Sequence, residues 1–354
     1  MQLRKDIVAE DVKTVWAHLS QEEKDRLRGR DILITGFAGS LGYMVMEFFR
    51  AYAEELAVGH IYCIDNYSFG RPDWVDGFLG DGRFRIRRAD IATCDLRFAA
   101  GAKIILHMAS LASPVYYRQH PIETIDADVI GLRNLLDFYR DREIGSLVFF
   151  STSEVYGDPA PGRVPTSEAY WGNVNTSGPR ACYDESKRFG ETLCYNYSRR
   201  FGMPVTVIRP FNSFGPGLRT NDQRVVADFA KNVVRGEDIV IFSDGRATRT
   251  FCYSADTTVG ILKCAAFGQY GIFNIGNDRD EMSIAQLAEL YRKVGRRLFR
   301  YGGNIVYRTH PDRDYLTDNP KRRCPDIGKA ERMLGYRPVY SAETGIERYL
   351  LSLT

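Results

Sequence analysis

The stretch DILITGFAGSLG, residues 31–42, decides the reading of the fold. Ile32, Leu33, Ile34 and Thr35 form an unbroken apolar and β-branched run, the composition of a strand covered on both faces. Gly36, Gly39 and Gly42 come next in G-x-x-G-x-x-G spacing and lead into an apolar stretch of helical length. Strand, glycine loop and helix in that order allow a tight turn, bring backbone N–H groups at the helix start to a phosphate, and let helix and strand pack closely.

A glycine loop alone is a weak signal, and its weight here comes from the five runs C-terminal to it. HIYCID (60–65), FRIRRAD (84–90), KIILHMA (103–109), SLVFFST (146–152) and PVTVIRP (204–210) repeat the strand pattern, with intervals long enough for crossover helices. This rhythm predicts an α/β fold, a doubly wound parallel Rossmann sheet with a smaller C-terminal substrate-binding lobe. Asp65 ends the second run, where a carboxylate accepts hydrogen bonds from ribose hydroxyls and repels a 2′-phosphate, so the expected dinucleotide is NAD rather than NADP, although Arg71 stands nearby. Ser40 and Leu41 in the loop, Asn66 after Asp65, and Asp90 with Ile91 after the third run complete the candidate cofactor set.

N-terminal to the glycine loop, residues 1–30 read as a helical appendage. Val8, Val12, Val15, Trp16 and Leu19 recur at helical spacing, and Ser20 with Glu23 makes a capping box for a second short helix. A packing extension over the main domain is expected, with a dimer contact as the other reading. Residues 31–209 form the expected NAD-binding domain. Residues 210–354 read mainly as the substrate-binding lobe, with some segments returning to the first domain, because Gly-, Pro- and Arg-rich loops dominate there (211–224, 243–251 and 319–338).

Composition narrows the function. The chain has 354 residues, 44% hydrophobic and 26% charged, as in a well-packed globular protein. Its 48 basic and 45 acidic residues are interspersed, which argues against a nucleic-acid partner. No apolar run reaches membrane-spanning length and MQLRKDIVAEDVK does not read as a signal peptide, so a soluble, cytoplasmic protein without a membrane partner is expected. Seven scattered cysteines without a C-x-x-C pair and five dispersed histidines suggest neither a disulfide framework nor a metal site.

The chemistry is carried by Tyr183-Asp-Glu-Ser-Lys187, which sets a phenol and an ammonium one helical turn apart, and by STSEVYG (151–157), at the end of the fifth run on the edge where a nicotinamide would sit. A tyrosine is a poor base at its ordinary value near 10, but an adjacent lysine and a nicotinamide cation both favour phenolate. Thr152 is placed to orient the same substrate hydroxyl.

Together the three glycines, Asp65, STSEVYG and YDESK resemble the extended short-chain dehydrogenases of the NAD-dependent epimerase/dehydratase kind. Within them the chain is most similar to the UDP-glucuronate decarboxylases, over about residues 31 to 350. The most specific stretches are STSEVYGDP (151–159), SGPRACYDESKR (177–188), FNSFGPGLRTNDQRVV (211–226), TRTFCYSAD (248–256) and NPKRRCPDI (319–327). The resemblance implies that Thr152, Tyr183 and Lys187 are catalytic, with Tyr183 and Lys187 also touching the cofactor. It further implies that Ser153 and Glu154 manage the decarboxylation intermediate and that Arg249 faces the reacting sugar. Asn212 and Arg323 would hold the nucleotide diphosphate, and Tyr117 and Arg219 would add substrate contacts. A UDP-linked nucleotide-sugar and a homodimer are implied as well.

Two stretches depart from that pattern. Thr124-Ile-Asp-Ala-Asp128 stands where the decarboxylases read T-L-K-T-N, so Asp126 replaces a lysine near the substrate and Asp128 an asparagine; an acid at 126 would disfavour a glucuronate carboxylate. An aromatic residue expected before an Asn-Pro is missing from Tyr116-Tyr-Arg-Gln-His-Pro121. Nucleotide-sugar 4-epimerisation therefore remains an alternative. A 4,6-dehydratase fits less well, since those enzymes read Thr-Asp-Glu where this chain has Thr152-Ser-Glu154, and a non-catalytic NAD-binding sensor is the reading from another class.

Overall fold

All six apolar runs form strands in the computed structural model, which describes residues 4–354. They are β1 (Ile32–Thr35), β2 (Ile61–Asp65), β3 (Phe84–Arg88), β4 (Ile104–His107), β5 (Ser146–Phe150) and β6 (Val205–Pro210). A seventh strand, β7 (Gly271–Ile275), joins them in one parallel sheet of order β7-β6-β5-β4-β1-β2-β3. The order reverses between β1 and β4, so a crevice opens there beyond the carboxyl ends of the strands.

Burial follows position in the sheet. β1, β4 and β5 are buried along their whole length because helices cover both faces. β3 differs from the expectation of a strand covered on both sides: Phe84 is buried, but Arg85, Arg87 and Arg88 are exposed, since β3 is the sheet edge and charged side chains there discourage pairing with another chain. β7 interrupts its apolar run with Asn274. That side chain is fully buried and satisfied, accepting from the Tyr156 hydroxyl at 2.7 Å and donating to the carbonyls of Thr166 and Asp326, both at 2.9 Å.

The N-terminal helices α1 (Lys5–Ala17) and α2 (Gln21–Leu27) lie over this domain. Val8, Val12, Val15 and Leu19 are buried, and Trp16 stacks on Tyr52 with ring centroids 4.3 Å apart, so the apolar stripe is consumed within the chain. The capping box forms as read: Ser20 Oγ accepts from Glu23 N at 3.2 Å and Ser20 N donates to Glu23 Oε2 at 2.7 Å. Asp11, fully buried on α1, accepts from the Tyr253 hydroxyl at 2.6 Å and from Arg348 Nε at 2.8 Å, tying the appendage to the C-terminal part of the chain.

That C-terminal part supplies β7, a helix over Ser254–Phe267 packed against β5 and β6, and a small three-stranded sheet. In the small sheet Thr248–Arg249 runs between Met282–Ser283 and Arg322–Arg323, with Arg249 in register with Arg323. Among the described residues no helix is long and apolar enough to cross a membrane.

Candidate active site

The glycine loop forms the floor of a cavity of about 800 Å³ at the β1/β4 switch point. Gly36 has φ +71°, and a Cβ there would come within 2.5 Å of the Ala109 backbone; a Cβ on Gly42 would lie 2.1 Å from the Phe37 carbonyl oxygen. Both positions exclude a side chain, which keeps helix α3 (Ser40–Tyr52) close to β1 and leaves its first turn open to the cavity. Asp65 at the end of β2 is fixed by Ala38 N, 3.0 Å from Oδ2, and Tyr67 N, 2.7 Å from Oδ1. Each oxygen keeps further acceptor capacity for a ribose hydroxyl. Ser40, Leu41, Asn66, Asp90 and Ile91 line the same cavity, whereas Arg71 turns aside to pair with Asp76. The glycine cradle and the fixed carboxylate fit a dinucleotide.

Across the cavity, β5 ends at Phe150 and Thr152 caps the next turn, Oγ1 accepting from Glu154 N at 3.2 Å. Helix α4 (Ala181–Phe201) brings Tyr183 and Lys187 to this edge. Tyr183 is buried and stacks on Tyr117 with centroids 5.0 Å apart and planes 3° from parallel. Lys187 Nζ lies 5.8 Å from the Tyr183 ring centre, but its donors are engaged elsewhere: it donates to the Phe150 carbonyl at 2.8 Å and pairs with Asp128 Oδ1 at 3.0 Å. Burial, with the Asp128 charge behind it, pushes the Tyr183 phenol above its ordinary value, while the Thr152 hydroxyl opposes that shift. The lowering expected from Lys187 is thus offset by a carboxylate that nothing in the sequence joins to it.

Beyond Thr152 the cavity wall is built by charge. Arg323 makes a two-point contact with Glu154, with Nη1 2.6 Å from Oε1 and Nη2 on Oε2, and Arg180 Nη2 reaches Oε2 at 2.5 Å. Burial pushes the Glu154 carboxyl up, but Arg180 and Arg323, helped by Arg249, hold it well below the usual carboxylate range. Asp184, 3.6 Å from Arg180, is pushed up by burial and by Glu154. Burial and the neighbouring Arg323 charge both disfavour the Arg249 cation, whose guanidinium is held by the carbonyls of Thr248 and Pro320 and by Asn319 Oδ1. Arg180 and Arg323 therefore close on one firmly ionised carboxylate while Arg249 acts on its charge from a distance, and with Asp184 on Arg180 the group still carries more guanidinium than carboxylate charge, an arrangement suited to a further anion.

Every residue expected at the site lines this one cavity, Ser153, Asn212 and Arg219 included. Asn212 has φ +31° and donates to the Thr250 carbonyl at 2.9 Å. Arg219 donates to the carbonyls of Phe69 and Gly70, a few residues after Asp65. Arg323, expected at the diphosphate, lies against Glu154. Asp126 is exposed and contributes nothing to the cavity, so it is not placed to repel a substrate carboxylate; the neighbouring acid on the inner face, Asp128, is fully buried on Lys187. Sequence reading missed Arg180, although it sits inside SGPRACYDESKR, and Arg224, whose guanidinium pairs with Asp222 and reaches Ser40 Oγ at 3.5 Å.

Comparison with known proteins gives the family and the fold. The NAD dependent epimerase/dehydratase family matches residues 32–276. UDP-glucuronic acid decarboxylase 1 of Xenopus tropicalis is 38% identical over 92% of this chain and 72% of its own length. UDP-glucuronic acid decarboxylase 6 of Arabidopsis thaliana is 35% identical over 89% of this chain and 86% of its own. Among solved structures, UDP-glucose 4-epimerase of Thermotoga maritima superposes with TM-score 0.77 at 24% identity, covering 91% of this chain and 98% of that one. A dTDP-glucose 4,6-dehydratase of Streptomyces venezuelae gives 0.76 at 24% identity, covering 90% and 95%. At that identity the structures speak for the fold.

Proposed function

Because the chain belongs to the NAD dependent epimerase/dehydratase family, we propose that it is an NAD-dependent nucleotide-sugar enzyme that oxidises C4 and decarboxylates UDP-glucuronate to UDP-xylose. The observation that carries this reading is the cluster of Arg180, Arg249 and Arg323 around Glu154, two residues beyond Thr152. Three guanidinium groups against the carboxylates of Glu154 and Asp184 leave the positive field that a sugar acid needs.

In this reading Tyr183 Oη takes the proton from the sugar 4-hydroxyl, and Thr152 Oγ1 orients that hydroxyl. The loop of Gly36, Gly39 and Gly42 together with Asp65 would hold NAD, which would supply hydride acceptance and return at C4. Oxidation at C4 makes the sugar a β-keto acid, which loses carbon dioxide to leave an enolate; a proton from solvent at C5 gives the 4-keto pentose, and Tyr183 Oη gives its proton back to the C4 oxygen as the hydride returns. The arginine cluster and the Ser153 hydroxyl stabilise the developing oxyanion. Glu154, kept ionised, fixes the guanidinium groups of Arg180 and Arg323 toward the sugar. Tyr117, whose buried hydroxyl has no partner among the described residues, contributes a substrate contact beside Tyr183, and Asn212 and Arg219 contribute to the nucleotide end.

The seven free thiols suit a reducing, cytoplasmic setting. A homodimer is supported by the exposed Ile122 (64%), Ile130 (49%) and Phe189 (50%) on packed helical segments, and light scattering tests it. The activity is tested by incubating the protein with a panel of nucleotide-sugars and weighing the products: loss of carbon dioxide from UDP-glucuronate supports decarboxylation. Turnover of a neutral sugar at unchanged mass, with UDP-glucuronate inert, would replace it by epimerisation.

A further inference from the structure

Asp128 is a fully buried acid that takes no part in these steps. It lies on the helical segment Asp126–Gly131, packed against α4. Its Oδ1 is 3.0 Å from Lys187 Nζ and its Oδ2 accepts from Ser186 Oγ at 2.9 Å. Burying a carboxylate is costly unless it is paired and hydrogen-bonded, and here both conditions are met by neighbouring residues on the helical turn after Tyr183. The other donor contact of Lys187, to the Phe150 carbonyl at 2.8 Å, fixes the ammonium against the end of β5.

Resting on the reading of Tyr183 as the base, we propose that Asp128 is a positioning residue that locks Lys187 beneath the tyrosine and offsets its charge, thereby setting the pH above which Tyr183 can act. An ammonium 5.8 Å from the ring would, unpaired, favour phenolate. Paired with a carboxylate at 3.0 Å it forms a neutral unit and that help is largely withdrawn. The phenolate is then favoured by the neighbouring Thr152 hydroxyl, and would be favoured further by the positive nicotinamide ring once NAD is bound. The base is thereby held in reserve until the cofactor is in place.

The other groups around the phenol leave Asp128 as the charge that a single substitution isolates. From the turn after β5, Glu154 also presses the phenol upward but is itself covered by Arg180 and Arg323. From α4 itself, Asp184 acts in the same direction and is held by Arg180. From β4, His107 is driven down to about 3 by burial and by Lys187, and so stays neutral. Arg224 approaches Tyr183 from the C-terminal part, Tyr117 stacks on it as a neutral ring, and the half-buried Cys182 and the Ser110 hydroxyl flank Asp128. All of these are common to the native protein and a variant at 128.

The test is Asp128→Asn, an isosteric change that keeps an acceptor for Lys187 and removes the charge. Two quantities are compared with the native protein: the acid limb of the kcat/KM profile, and the ionisation of Tyr183 by ultraviolet difference absorbance against Tyr183→Phe in the same background, without substrate or cofactor. Removing a charge that disfavours phenolate lowers the phenol's pKa, so both midpoints are expected to fall by about one to two units, the size of a unit charge at this range in an effective dielectric of about 20. Asp128→Ser gives the same readings should the amide fail to fold. Midpoints that stay in place in a folded variant would overturn the proposal, as would an upward move. The absorbance titration does not depend on turnover. A Tyr183 that ionises more easily in Asp128→Asn, with the acid limb unmoved, would retain the electrostatic coupling but overturn both its control of activity and the reading of Tyr183 as the base.

Discussion

Replacing Glu154 by alanine tests the charge cluster at its centre. In the native protein the Arg180 and Arg323 side chains are only 6% and 8% exposed, and both close on this carboxylate. Removing one member of a buried ion pair typically costs about 3–5 kcal/mol, because the remaining charge stays buried without compensation. Here the lower end, about 3 kcal/mol, is expected, since Arg180 keeps Asp184 at 3.6 Å while Glu154 is the carboxylate that the structure gives Arg323. Equilibrium urea unfolding of the native and Glu154→Ala proteins measures the difference. Glu154→Gln, which keeps an acceptor oxygen, is expected to lose less. The pH dependence has a defined sign: burial raises the carboxyl, but the arginines hold it below its unfolded value, so its stabilisation is present above about pH 4.3 and is lost as the pH falls through the folded value. The gap between the native and glutamine proteins should therefore narrow in acid. A Glu154→Ala protein within about 1 kcal/mol of native stability would refute the buried cluster.

Particular contacts set three further outcomes. Tyr183→Phe is expected to cut turnover by at least the roughly 10²–10⁴ typical of a lost acid–base group while NAD binding by calorimetry stays near native, because only the hydroxyl is removed and the ring still stacks on Tyr117; near-native turnover would remove Tyr183 from catalysis. Asp65→Ala should weaken NAD more than NADP, since it deletes acceptors for the ribose and the repulsion of a 2′-phosphate at once; an unchanged preference, read by cofactor titration, would assign that role to another residue. Ser20→Ala should cost about 1 kcal/mol in urea unfolding through loss of the α2 cap, and no change would show that packing alone holds the appendage.

How much of this was legible in the chain depended on the physics of each element. β1, β2, β4, β5 and β6 were readable because strands inside a parallel sheet are continuous apolar runs. β7 escaped because Asn274 breaks its run and Gly271 opens it, and nothing local announces that Thr166 and Asp326 will satisfy the amide. The glycine loop and the Tyr183–Lys187 pair are local patterns, and the cavity gathers them. The meeting of Arg249 and Arg323 is not local: it depends on two-residue strands pairing from distant loops, which no periodicity marks. Asp126 and Asp128 look alike in sequence, and only the packing of their helical segment against α4 sends one to solvent and the other onto Lys187. Arg180 lies within the SGPRACYDESKR stretch, yet its partner Glu154 comes from the turn after β5, and that contact exists only once the sheet is assembled.

In the proposed reaction this cavity oxidises C4 of a nucleotide-linked sugar acid and then releases its carboxylate. The most direct measurement is to supply UDP-glucuronate labelled at the carboxyl carbon to the protein with NAD and follow the label. Labelled carbon dioxide is expected in step with formation of the UDP-pentose, with no net accumulation of NADH. Label retained in a sugar of unchanged mass, or no reaction while another nucleotide-sugar turns over, would contradict it.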